Sequence, residues 1–266
     1  MSSSSGTRPY LARTPVALAH RGGALYGPNV GLENTLTAFR NAVGLGYTHV
    51  ETDVHVTRDG RLVAFHDIHL DRVSDTQGRI RDLTWDELSR VRVDATERIP
   101  LLTELLDELP GVNVNIDLKA PGTAAPLWRL VEERGLHDRV CVGSFSQRRV
   151  GQFRRLARGR VATAASWAGG AVAVLGPHWL STVLRTPADV YQVPGCLRVA
   201  GREVPVVTPR LVRLAHRLGK QVHVWTVDDP AAMHRYLDTG VDGIVTDRID
   251  VLRAVLVDRG QWTGAA

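Results

Sequence analysis

The segment His20-Arg21-Gly22-Gly23 sets an imidazole and a guanidinium beside two glycines, which allow a tight turn or a close approach of backbone to an anion. Further along, Val50-Glu51-Thr52-Asp53-Val54-His55 has the period of a strand, so Glu51, Asp53 and His55 share one face and Val50, Thr52 and Val54 the other. A third segment, Asn113-Val114-Asn115-Ile116-Asp117-Leu118-Lys119, adds Asp117 and, two residues on along the same face, Lys119. Buried carboxylates this close repel one another and protonate unless something neutralises them. Two solutions are open: an ion-pair network with Arg21 and Lys119, or a divalent cation. The oxygen donors Glu51, Asp53 and Asp117 suit a hard ion, Mg2+ or Ca2+, with Mn2+ also admissible. His66-Asp67, closing the strand-like Leu62–Phe65, returns a second histidine to the same place. Two histidines and a metal suffice for phosphodiester cleavage: one accepts a proton from the attacking oxygen and the other gives one to the leaving alcohol. Arg21 and Lys119 would then hold the phosphate.

These residues need a scaffold that gathers strand ends. Short apolar or β-branched runs recur at Val16–Ala19, His49–Val54, Val112–Leu118, Val140–Ser144, Val161–Ala164, Val190–Val193, Gln221–Val227 and Gly243–Thr246. Helical periodicity lies between them at about 35–45, 101–109, 124–135, 146–158, 208–218, 230–239 and 249–258, with one more within 167–184. Eight βα units in a chain of 266 residues predict an α/β fold, a (β/α)8 TIM barrel occupying 13–262. In such a barrel the active site lies at the C-terminal strand ends, where the residues above fall. One connection breaks the rhythm, a small insertion at about 61–99 after the second strand. Residues 1 to about 12, rich in Ser with Gly and Pro, read as a mobile tail.

Hydrophobic residues at 44% and charged residues at 23% exclude a disordered chain. No apolar run is long enough to span a membrane and no signal-peptide core opens the sequence, so a soluble cytoplasmic protein is expected. Cys141 and Cys196 lack metal-ligand spacing and are expected as buried free thiols. The net charge of +5 comes almost wholly from arginine. The densest stretch, Arg148 to Arg160, carries Val150, Phe153, Leu156 and Ala157 at helical spacing, which predicts a solvated outer helix and no nucleic-acid partner.

Taken in order, His20-Arg21-Gly22, Glu33-Asn34-Thr35, Glu51-x-Asp53 with Thr57-x-Asp59-Gly60, His66-Asp67, Asp117-x-Lys119, Trp225-Thr226-Val227 and Gly240-Val241-Asp242-Gly243-Ile244-Val245-Thr246-Asp247 resemble the glycerophosphodiester phosphodiesterase family. The matched motifs run from 20 to 247. The resemblance implies a phosphodiesterase barrel acting on a small glycerophosphodiester, with catalytic residues at His20 and His66 and a metal at Glu51, Asp53 and Asp117. It also implies phosphate contacts at Arg21 and Lys119, a metal-side or orienting carboxylate at Glu33, and Trp225 as a pocket wall beside the glycerol. Two positions depart from the family: Asp117 stands where it usually has glutamate, and Arg248 follows Asp247 where it usually has proline.

Other polar residues admit structural roles. His55 reads as an outer ligand or a satisfied core histidine, Ser144 as polar pocket lining and Asp247 as a residue orienting a loop or a basic partner. The apolar stretch Ala168–Leu184, with Trp167 and Trp179, is expected to pack on the barrel, and contact with a membrane surface is left open. Two alternative functions remain: a lysophospholipase D-like or phospholipase C-like enzyme on lipid substrates, and a non-catalytic barrel binding phosphorylated polyols. Oligomeric state is not legible.

Overall fold

The computed structural model describes residues 8–165, 186–199 and 201–265. Eight parallel strands form a barrel: β1 (Val16–His20), β2 (His49–Val56), β3 (Asn113–Leu118), β4 (Val140–Gly143), β5 (Ala162–Thr163), β6 (Val190–Pro194), β7 (Gln221–Trp225) and β8 (Gly243–Thr246). Each pairs with its neighbours in chain order, and β8 returns to β1. The ring closes between β5 and β6 through the parallel bridge Ala164 to Val190, where Ala165 N donates to Val190 O at 2.9 Å. The chain is therefore a (β/α)8 TIM barrel.

Helices α1 (Leu36–Gly44), α2 (Leu102–Glu108), α3 (Ala124–Glu133), α4 (Gln147–Ala157), α5 (Pro209–Arg217), α6 (Pro230–Thr239) and α7 (Ile249–Asp258) cover it. Their starts are written locally. Thr35, Ser146, Thr208 and Asp229 accept from backbone N–H groups of the first turn, and Pro209 and Pro230 stand where a helix has no use for an N–H. The outward residues Val50, Val54, Val114, Ile116, Val142, Val224 and Ile244 meet Phe39, Leu105, Leu127, Phe153, Met233 and Leu252 in one buried layer. The helix expected within 167–184, with Trp167 and Trp179, lies outside the described residues.

The insertion begins with Leu62–Ala64, antiparallel to β2, and continues through a short helix at Trp85–Leu88 and a hairpin of Arg92–Val93 with Glu97–Arg98. It holds a small core of its own, from Val63 and Phe65 to Ile99. A second hairpin, Cys196–Val199 with Arg202–Pro205, follows β6 and was not foreseen. It corrects one expectation: Cys141 is buried in the barrel, whereas Cys196, carried outward on this hairpin, is exposed.

Residues 9–11, expected within a mobile tail, are ordered against the barrel. Pro9–Leu11 forms a 3-10 turn that stoppers the barrel at the N-terminal strand ends, with Tyr10 and Leu11 buried against Cys141, Ala162, Ala164 and Val190. Arg8 pairs with Asp189 at 2.6 Å, and Gln221 donates to Leu11 O at 2.8 Å. Above the stopper, the Tyr10 ring meets His49 edge-on at 5.2 Å, and His223 is fully buried.

Burial holds both histidines neutral, His49 at a pKa of about 4 and His223 at about 3. Both lie below the unfolded value of about 6.5. As pH falls through that value the unfolded chain takes up protons that the folded chain refuses, so stability present above pH 6.5 is lost in acid. The expected loss is about 2 kcal/mol per histidine at pH 5. Urea unfolding at pH 7 and pH 5, compared between the wild type and His49→Gln, isolates this slope from other titrations, and an unchanged slope in the variant would refute it.

Candidate active site

The turn after β1 brings Arg21 inward because three consecutive residues adopt positive φ, Arg21 at 51°, Gly22 at 88° and Gly23 at 92°. Side chains at the glycines would meet α1 and α7: a Cβ on Gly22 lies 2.8 Å from Ala38 Cβ, and one on Gly23 lies 2.7 Å from Ile249. Arg21 N donates to the Glu51 backbone carbonyl at 3.0 Å, which continues the β1–β2 pairing where His20 lies beside Glu51. On the other side of β2, Asp53 lies beside Asp117 of β3. Parallel register thus places the ends of three strands in one plane.

These ends open on a cavity of about 220 Å³. His20, Arg21, Glu51, Asp53, His66, Asp117, Lys119 and Trp225 line it, as the sequence led us to expect. Glu33 does not. Its carboxylate is held by Arg21 at 3.2 Å and by Arg72 at 2.6 and 2.9 Å, so it orients guanidinium groups from outside the cavity. His55 is buried, with Nε2 3.1 Å from the His66 carbonyl, and burial lowers its pKa, so the neutral ring supports the His66 backbone. Ser144 Oγ donates to Leu118 O at 2.7 Å and accepts from Arg149 at 3.0 Å.

The carboxylates differ in their surroundings. Asp53 takes Lys119 Nζ at 2.9 Å and lies 3.3 Å from Arg21 Nε, while Asn34 donates to it at 3.2 Å. Burial would raise its pKa, but Lys119 and Arg21 hold it below the ordinary range. Lys119 also reaches Asp117 Oδ2 at 2.8 Å; burial opposes its charge, and the two aspartates outweigh that and raise its pKa. The Glu51 carboxylate accepts from Arg21 N at 3.2 Å and faces His20 Nε2 at 3.9 Å, and burial together with the charge of Asp53 pushes its pKa up to about 8. Asp117 Oδ1 is buried without a hydrogen-bond partner.

The ion-pair network left open by the sequence is therefore present, with Lys119 bridging Asp53 and Asp117 and Arg21 beside Asp53. Among the described residues no three His, Cys, Asp or Glu side chains form a ready ligand group. The donor set nevertheless fits a hard cation: Glu51 and the orphaned Asp117 oxygen are buried acceptors, Asp53 stands beside Asp117 in the strand register, and all three side chains line the cavity.

Each histidine is braced by a carboxylate on Nδ1. His20 Nδ1 lies 2.8 Å from Asp247, and His66 Nδ1 lies 2.5 Å from Asp67. Burial opposes charge on His20, but Asp247 and Glu51 outweigh it and raise its pKa above 6.5. Asp247 is itself fixed by Asp228, whose Oδ1 accepts from Thr246 Oγ1 at 2.9 Å and from Asp247 N at 2.8 Å. Among the described residues no hydrogen bond occupies Nε2 of either ring, and His20 Nε2 faces Glu51 Oε2 at 3.9 Å. Sequence reasoning gave Asp247 an orienting role without identifying its partner, and it assigned none to Asp67, Arg72 or Asp228.

The cavity is divided by charge. Among the described residues every ionisable lining group comes from β1, β2, β3, the residues that directly follow them or the insertion, whereas β4 to β8, the hairpin after β6 and the residues that follow them contribute Ser144, Phe145, Ala165, Gln192, Leu197, Val206, Trp225 and other uncharged residues. Phe145 meets Trp225 edge-on at 5.5 Å, with Lys119 Nζ 5.7 Å from the Phe145 ring.

Comparison with known proteins agrees with this geometry. Over 256 residues, 94% of each chain, the sequence is 41% identical to a Mycobacterium tuberculosis protein named "Probable glycerophosphodiester phosphodiesterase 2". It is 29% identical to a glycerophosphodiester phosphodiesterase of Caldanaerobacter subterraneus, covering 89% of this chain and 96% of that one. The fold matches the crystal structure of an Oleispira antarctica phosphodiesterase in complex with the product sn-glycerol-3-phosphate, with a TM-score of 0.72 at 21% identity over 92% of this chain and 97% of that one. Residues 20–251 match the model of the glycerophosphoryl diester phosphodiesterase family, and the chain belongs to that family.

Proposed function

We propose that this chain hydrolyses glycerophosphodiesters to glycerol 3-phosphate and an alcohol, with a divalent cation and with His20 and His66 exchanging the protons. The observation that carries the reading is the pair of imidazoles in one cavity, each with Nδ1 held by a carboxylate and, among the described residues, no hydrogen bond on Nε2. Arg21 and Lys119 supply fixed positive charge for the phosphate. Lys119 does so at every working pH, since its pKa is raised. One imidazole draws the proton from the attacking oxygen while the other delivers one to the departing alkoxide, and the braced Nδ1 atoms keep both rings in one tautomer. Glu51, Asp53 and Asp117 would hold Mg2+, Ca2+ or Mn2+, and a bound ion offsets charge on a non-bridging phosphate oxygen.

The test is release of glycerol 3-phosphate from a panel of glycerophosphodiesters by the purified chain, first in EDTA and then with each ion restored. Metal-dependent release is expected. Silence across the panel, with the chain folded and the ion bound, would refute the reading.

The uncharged wall supports a second reading, a lysophospholipase D-like action on substrates bearing an apolar group, since Phe145, Leu197, Val206 and Trp225 offer no carboxylate to a cationic head group. Turnover of a lysophospholipid against its deacylated glycerophosphodiester separates the two.

A further inference from the structure

We propose that Arg72, in the insertion, is a positioning residue that sets the orientation and tautomer of His66 through Asp67. This inference rests on His66 exchanging a proton in the proposed reaction, and one of its two tests does not need turnover.

One guanidinium makes all the connections. Arg72 Nε donates to Asp67 Oδ2 at 2.6 Å, while its Nη1 and Nη2 atoms donate to the two oxygens of Glu33 at 2.9 and 2.6 Å. Asp67 Oδ1 lies 2.5 Å from His66 Nδ1, and Glu33 accepts from Arg21 at 3.2 Å. The chain His66–Asp67–Arg72–Glu33–Arg21 therefore joins two residues that line the cavity, tying the loop after β1 to the insertion. Arg72 is 48% exposed, and an exposed ion pair contributes little to stability. What it contributes here is direction. Asp67 follows His66 in sequence, so its side chain needs a second anchor to face the ring of its own neighbour, and the planar fork of arginine supplies that anchor while also holding Glu33. With Asp67 ionised and fixed, His66 keeps its proton on Nδ1 and presents Nε2 to the cavity. A lysine could retain the charge but not the fork.

The experiment uses the full chain and the variants Arg72→Gln, Arg72→Lys and His66→Ala. Imidazole nitrogen NMR, with His66 assigned by its absence in His66→Ala, is expected to show the Nδ1–H tautomer in the wild type and a mixture in both Arg72 variants. An unchanged His66 tautomer in Arg72→Gln overturns the proposal whether or not the chain turns over a glycerophosphodiester. Kinetics provide the second reading. Arg72→Gln and Arg72→Lys are expected to lower kcat by about 10- to 100-fold with KM changed less than about threefold. Placed on His66→Ala, the same substitution is expected to change kcat by less than about twofold, because its effect passes through the missing ring. An equal loss on both backgrounds would show that Arg72 acts elsewhere and would overturn the proposal. Absent wild-type turnover with the expected tautomer change, the reaction assignment fails and the positioning role stands.

Discussion

Alanine at His20, or at His66, is expected to lower kcat on a glycerophosphodiester by about 10²–10⁴-fold, the range supplied by one positioned acid or base. The two losses should not add. In the proposed reaction both imidazoles serve one proton circuit across one phosphate, so the double variant should fall little below the weaker single variant. Substrate binding should change far less, because Arg21 and Lys119 remain, and Lys119 stays charged between its two aspartates. Steady-state kinetics with saturating Mg2+ or Ca2+ decides the matter. Either single variant retaining turnover near the wild type would remove that histidine from the chemistry. Because Asp247 braces His20 at 2.8 Å, Asp247→Asn belongs in the same series, and it should reproduce part of the His20→Ala loss.

The second large effect is expected at Asp53, where an oxygen is exchanged for an amide without a change of volume. Asp53 is 1% exposed and stands between Lys119 and Arg21. Asn at this position leaves two cations facing one another with one fewer anion. Removing one member of a buried charge cluster costs about 3–5 kcal/mol. The same substitution takes away the central member of the proposed cation donors, so metal-dependent turnover should fall to background at any ion concentration the wild type uses. Denaturant unfolding reads the first effect and calorimetric titration of Mg2+ or Ca2+ the second. If Asp53→Asn binds the ion as the wild type does, Asp53 is not a ligand. Asp117→Glu is an informative companion, since Asp117 carries an oxygen with no hydrogen-bond partner and a longer side chain at that position tests whether reach limits the site.

Strand periodicity made most of this fold legible. The alternation in Val50-Glu51-Thr52-Asp53-Val54-His55 assigned each side chain to the barrel interior or the helix layer, and burial follows it, with Val50 and Val54 in the outer core and Glu51 and Asp53 in the cavity. Features made by contacts distant in sequence were not legible. The bond from Arg72 to Glu33 links residues 39 positions apart in two loops, where no period exists to follow. His20 and Asp247 meet only because β8 closes onto β1. Tyr10 and Leu11 were hidden in a Ser-, Gly- and Pro-rich stretch whose average composition says tail, although two apolar side chains suffice to fill a barrel end. Cys196 was misjudged because nothing in Cys196-Leu197-Arg198-Val199 distinguishes an outlying hairpin strand from a core one.

The segregation of charge within the cavity bears on how such an enzyme can change its diet. Among the described residues all ionisable lining groups lie on one arc of the barrel, and the facing arc, from Ser144 round to Val245, shows none. Mutational libraries confined to Phe145, Ala165, Leu197 and Val206 would therefore explore substrate shape while the reacting groups keep their register. Selection acting on the same arc can diversify substrate range between lineages by small steps, each leaving the proposed proton circuit intact.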